Sequence, residues 1–116
     1  MIVATRLLTL RTKTGTVDVP IRLFSPERGD VDWSCKFEID WPVGDKWPNG
    51  IQSRTAWGAD SMQALLLALQ MLGSEIYASD YHKAGDLRWG ETWKGYGLPV
   101  TNNIREQLMD DDKKFF

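Results

Sequence analysis

The chain has one cysteine, Cys35, and one histidine, His82, among 116 residues. A single thiol closes no intramolecular disulfide, and one Cys with one His cannot supply the ligands of a structural zinc site. Charge of one sign is also scarce. Fourteen Lys and Arg face sixteen Asp and Glu, for a net charge of -2. Neither nucleic acid nor an anionic membrane is expected as a partner, because both need a basic footprint. The opening residues Met1-Ile2-Val3-Ala4-Thr5-Arg6 lack a basic segment followed by an apolar core, so no secretion signal is expected and the cytoplasm is the default location. A phosphate loop and a Gly-x-Ser-x-Gly elbow are missing. Gly95-Tyr96-Gly97 follows no clear strand and opens no clear helix, which rejects a dinucleotide site. Asp110 to Asp112 lacks the glycine and the distant glutamate of a calcium loop. No catalytic residue, cofactor or metal is therefore assigned, and an enzyme is the less favoured class.

What is present is ordinary in bulk and unusual in one respect. Hydrophobic residues make up 42% and charged residues 26%. The length suits one domain over residues 1–116, able to bury roughly two-thirds of its unfolded surface. Six residues are tryptophan: Trp33, Trp41, Trp47, Trp57, Trp89 and Trp93. Tryptophan serves both cores and binding hot spots, so deciding which are core bears directly on function.

The stretch Asp60 to Tyr77 predicts one long helix. Asp60 with Gln63 three residues on makes a capping-box pattern. The body is Ala, Leu, Met and Gln without a β-branched run. Met62, Leu65, Leu66, Leu69, Leu72 and Ile76 fall on one face, and Leu67, Ala68 and Met71 make the other side apolar, so a largely buried helix is expected. Gln63, Gln70, Ser74 and Glu75 interrupt the apolar run, which speaks against a membrane span.

Four strands are expected before it. Residues 2–10 and 16–24 form a hairpin around the turn Arg11 to Gly15. Pro20 cannot donate to a ladder and suits an edge strand, an outward-facing position or a bulge, so the second strand is expected to have one side unpaired near it. Residues 25–32 read as a polar loop. Residues 33–41 alternate most clearly, with Trp33, Cys35, Phe37, Ile39 and Trp41 against Ser34, Lys36, Glu38 and Asp40. Residues 42–50 form a Pro/Gly loop, and 51–57 a fourth strand. The fold class is α+β: a four-stranded antiparallel sheet with one long helix packed on its apolar face. The C-terminal segment is irregular, with a short strand or ordered turn at 85–90 and a short helix at 102–109. Residues 110–116 are expected to be a solvated tail.

Trp57-Gly58-Ala59-Asp60-Ser61 running into Gln63-Ala64-Leu65, with Gly97-Leu98-Pro99-Val100, resembles a family of small bacterial proteins classed as a domain of unknown function. The resemblance covers most of the chain. It implies a bacterial, cytoplasmic, single-domain protein and brings no catalytic residues.

Candidate residues divide by setting. Cys35 alternates with Trp33 and Phe37 and is expected to be buried and inert. Glu38 and Asp40 share a polar sheet face with Lys36, in reach of a cross-strand Arg22 or Arg54, and read as a charge-paired surface. Trp33, Phe37, Trp41 and Trp57 are assigned to the core. Trp47, Trp89, Trp93 and Tyr96 lie outside strand alternation, either as a lid over the core or as an interaction surface. His82, Asp86 and Arg88 are the polar groups of an alternative, a small-molecule pocket between the sheet and the C-terminal segment. The leading expectation is a non-enzymatic module that binds another protein or itself.

Overall fold

A computed structural model describes residues 1–44 and 46–116; Asp45, within the expected 42–50 loop, lies outside the described residues. Six strands form one sheet: β1 (Ile2–Thr12), β2 (Gly15–Phe24), β3 (Glu27–Arg28), β4 (Trp33–Asp40), β5 (Ile51–Gly58) and β6 (Leu87–Arg88). Helix α1 (Ser61–Ala78) follows β5, α2 (Asp80–Lys83) precedes β6, a 3-10 helix covers Asn102–Gln107, and α3 is Asp110–Phe115. The neighbours run β3-β4-β2-β1-β6, with β5 also paired to β4. The α+β class, the antiparallel sheet and the long helix are as read from the sequence, but the strands number six, not four. The two further strands, β3 and β6, are two residues each. β6 falls in the 85–90 segment read as a short strand or ordered turn, whereas β3 lies in the expected 25–32 loop and is too short to carry a period-two signal.

Two compact units emerge, residues 1–7 with 19–68 and residues 8–18 with 69–116. Strands β1 and β2 and helix α1 contribute to both.

In the first unit β4 is the spine. It pairs antiparallel with β5 from Trp33↔Gly58 to Asp40↔Ile51, and with β2 from Ile21↔Ile39 to Leu23↔Phe37. Its alternation holds: Cys35, Phe37, Ile39 and Trp41 are buried, as are Val19, Ile21 and Leu23 of β2. The Trp41 indole Nε1 donates to Gln52 Oε1 at 2.8 Å, which satisfies both buried polar groups. On the outer face Arg22 bridges Glu38 at 3.3 Å and Asp40 at 3.4 Å, so the acids form a charge-paired surface. Buried Cys35 donates its thiol to the Phe24 carbonyl at 3.2 Å, and burial raises its pKa, consistent with an inert thiol.

One expectation holds in part and one fails. β2 as a whole is an inner strand, paired with both β1 and β4, but its side toward β4 is unpaired at Pro20, because that ladder begins at Ile21, one residue beyond it. Trp57 is not core: it is 58% exposed, because it alternates with buried Ala56 and Gly58 and so points to the outer face.

Helix α1 opens as a capping box displaced by one residue. Gln63 N donates to Asp60 Oδ1 at 2.8 Å, while Gln63 Oε1 accepts from Ala59 N rather than from Asp60 N, at 2.6 Å. The buried stripe also differs from the leucine face. Ala64, Ala68, Leu72 and Ile76 are buried at i, i+4 spacing, whereas Met62 is 78% and Leu66 51% exposed. In the first unit the backbone at Ala64 lies against Gly58, where a Cβ would meet the Ala64 nitrogen at 2.5 Å. In the second unit Gly73 lies against the Pro99 carbonyl, and a Cβ there would overlap its oxygen. No helix among the described residues is long and apolar enough to cross a membrane.

Candidate functional site

The second unit is built around one carboxylate. Asp112 is completely buried, not part of a solvated tail. Its Oδ2 accepts from the Tyr77 hydroxyl at 2.5 Å and the Tyr96 amide at 2.7 Å. Its Oδ1 accepts from the Trp93 indole Nε1 and the Gly97 amide, each at 2.7 Å. A buried carboxylate persists only when its lone pairs are occupied in this way. The Tyr77 hydroxyl in turn accepts from the Met109 amide at 3.1 Å. Among the described residues no buried side-chain nitrogen or oxygen lacks a partner.

Local sequence explains how these groups meet. Gly95 holds φ +122°, and a Cβ there would overlap the Asp112 carboxylate, so only glycine lets the loop close on it. The Lys94 carbonyl accepts from the amides of Asp111 and Asp112 at 3.0 and 3.3 Å. Lys94 N donates to Asp111 Oδ2 at 2.5 Å. These bonds fix α3 beside the 93–97 loop. Helix α3 carries acids in its first turn and Lys113 and Lys114 in its last, which suits the peptide dipole at both ends.

His82 joins the same cluster from α2. Its Nδ1 hydrogen-bonds the Tyr96 hydroxyl at 2.5 Å, and its ring meets Tyr77 and Tyr96 edge-on at 4.6 and 5.4 Å. Burial lowers the His82 pKa; Asp112 opposes that shift and Lys83 adds to it. Burial likewise raises the pKa of Tyr77 and Tyr96, reinforced at Tyr77 by its bond to Asp112 and at Tyr96 by the Asp112 charge.

The aromatic residues proposed from sequence are thus separated. Tyr96 is 1% exposed and belongs to the buried cluster, not to an interaction surface. Trp93 is half-buried, tied to Asp112, and stacked on Phe115 at 5.6 Å and 26°. Trp89 packs over Gly97 and meets Trp93 edge-on at 5.5 Å. Trp47 is half-buried in the 42–50 loop of the first unit. The glycine-rich segment therefore folds inward as an ordered lid within its own unit. Asp112 had no sequence signal as a site, since three consecutive aspartates near a terminus read as solvated.

The polar trio is also divided. His82 and Arg88 line a cavity of about 160 Å³ with Glu91, Trp93 and Lys94. Asp86 instead pairs with Arg11 at 3.0 Å and lines a neighbouring cavity of about 150 Å³ that also touches Arg88. Both are below the ~300 Å³ of typical small-molecule sites. In the first unit, a cavity of about 370 Å³ on the outer face is lined by Phe24, Glu27, Ser34, Lys36 and Thr55 among others. Its lysine is already engaged: Lys36 lies 3.8 Å from Glu38 and 4.3 Å from the Phe24 ring centre.

The first unit offers a different feature. Strand β5 pairs with β4 along its whole length, and β4 is its one sheet neighbour among the described residues. The other edge carries eight residues without proline or lysine. A strand so placed is a template for further pairing.

These features define an α+β protein with an antiparallel sheet and a buried carboxylate cluster. The family described as Domain of unknown function (DUF6968) matches residues 4–100, and the chain belongs to it. No curated protein and no solved structure matches the chain. Four donors of the carboxylate cluster, Tyr77, Trp93, Tyr96 and Gly97, lie within the matched span, while Asp112 lies beyond it.

Proposed function

We propose that this chain is a non-enzymatic interaction module, a single-domain bacterial cytoplasmic protein that associates with a second copy of itself through the free edge of β5. The observation that carries the reading is that edge, with Trp57 58% exposed at its end. Eight residues at ~3.4 Å each give a contact line of about 27 Å. An antiparallel pairing centred on Thr55 sets Trp57 of each copy across from Ser53 of the other, a small partner that leaves the ring covered. The C-terminal aromatics support this surface less, because Asp112, Phe115 and Gly97 already occupy them.

Native mass spectrometry with sedimentation at several concentrations tests the reading. The wild-type chain is expected at twice the chain mass. Ser53→Lys sets a cation across from Glu38, its partner in the β4 ladder, so the fold keeps a favourable pair while the edge gains a charge. Ser53→Lys and Trp57→Ala are expected to run as monomers. A wild-type monomer at every concentration, or a dimer untouched by both substitutions, overturns the reading.

A further inference from the structure

We infer that the cavity between α2, β6 and the 90–96 loop is a binding site for a small oxyanion, a phosphate or a carboxylate group. The site lies in the second unit and is independent of pairing through β5.

Three residues with basic side chains line the cavity: His82, Arg88 and Lys94. Among the described residues no carboxylate pairs with the side chain of Arg88 or of Lys94, although acids outnumber bases in the chain. Glu91 also lines the cavity but makes no ion pair with either cation. Arg11 is committed to Asp86, Arg22 to Glu38 and Asp40, and Lys36 to Glu38. The basic groups at this cavity therefore have charge left to offer.

The histidine is held in a useful orientation. The Tyr96 hydroxyl occupies Nδ1, so Nε2 is the ring nitrogen left for a ligand. When the tyrosine donates, the neutral ring carries its proton on Nε2 and presents a donor. Tyr96 is itself fixed by its amide bond to Asp112, so the imidazole is positioned before any ligand arrives. Trp93 forms a rigid wall because its indole nitrogen is bound to Asp112.

Size selects the ligand class. A volume of about 160 Å³ corresponds to roughly five waters. That accommodates a phosphate or carboxylate head, and is too small for a nucleotide or a drug-sized molecule. Two flexible cations and an imidazole match a compact oxyanion carrying several acceptor oxygens.

The single histidine makes the test direct, because the imidazole resonances of the intact chain belong to His82 alone. The chain is titrated with inorganic phosphate and, separately, with acetate, at constant ionic strength against chloride. The groups around the ring are Lys83 on α2, Tyr77, Tyr96 and Asp112 in the cluster, and Arg88, Glu91 and Lys94 at the cavity. A bound anion adds negative charge beside it, so the His82 resonances are expected to move saturably and its titration to shift upward in pH. Saturation by phosphate alone assigns the site to phosphate; saturation by acetate as well assigns it to carboxylates in general.

Arg88→Ala and Lys94→Ala are each expected to raise the half-saturating concentration roughly tenfold. Lys94→Arg should restore it. Glu91→Gln should lower it, because a like charge leaves the rim. If Arg88→Ala does not fold, Lys94→Ala and Glu91→Gln, both on an exposed loop, carry the same test. Resonances that ignore both anions, or that chloride moves equally, overturn the proposal. So does a titration that the Lys94 and Glu91 substitutions leave unchanged.

Discussion

The Trp93 indole nitrogen donates to Asp112 Oδ1 at 2.7 Å across a sequence separation of 19 residues. That bond is one of four that end on a single buried carboxylate, so the loop, the end of α1 and α3 share one acceptor. Asp112→Ala is expected to cost about 3–5 kcal/mol, because it strands several donors at once in a dry site. Asp112→Asn should recover part of the loss and no more, since one end of the amide is itself a donor. Urea denaturation followed by tryptophan fluorescence checks both, with Tyr77→Phe at about 1–2 kcal/mol as the single-bond reference.

Gly73→Ala sets two effects against each other. In an exposed helix interior the change stabilises by about 1 kcal/mol. Here the added methyl would overlap the Pro99 carbonyl oxygen, which is backbone and cannot rotate away. Overpacking of this kind costs ~1–3 kcal/mol or more, so the net effect is expected to be destabilising. A lowered thermal midpoint checks it. Leu66→Ala, on the exposed face of the same helix, should be close to neutral.

Acid sensitivity follows from His82. Its pKa is lowered in the fold, chiefly by burial, from an ordinary value of 6.5. Above that value folded and unfolded rings are both neutral, and the contribution is constant. As pH falls below 6.5 the unfolded ring takes up a proton that the folded ring resists, so stability declines toward the folded pKa. Unfolding free energy measured across this range should slope downward with acidification, and His82→Gln should flatten that part of the profile.

The alkaline side has the opposite sign. Tyr77 and Tyr96 hold their protons beyond the ordinary phenol value of 10. Above pH 10 the unfolded chain releases protons that the fold retains, so stability falls as pH rises. The phenolate absorbance of the folded chain should show Tyr77 and Tyr96 lagging, and both should titrate normally in denaturant.

The sequence disclosed what depends on short periodicities. The alternation of residues 33–41 predicted β4 and its buried side chains, and Asp60 with Gln63 predicted the start of α1. It did not disclose what depends on distant partners. The inward face of α1 is set by backbone that comes close to it, at Ala64 by Gly58 and at Gly73 by Pro99, so small side chains are buried where leucines were expected. Trp57 reads as core from its place at the strand-to-helix junction, but strand parity turns it outward. Pro20 marked a local gap in pairing, which lies where the ladder with β4 has yet to begin, whereas nothing local in residues 51–58 indicates that β4 is the one sheet neighbour of β5 among the described residues. At the candidate cavity His82 and Arg88 were named in advance, whereas Lys94 and Glu91 come from a loop whose path no local pattern encodes.

The boundary of the family and the boundary of the folding unit do not coincide. A fragment ending at residue 100, where the family match ends, retains the phenol, the indole and the two amides but loses the carboxylate they converge on. Such a fragment would carry a socket without its plug. Residues 101–116 therefore supply the acceptor on which the second unit's donors converge, although they lie outside the matched span.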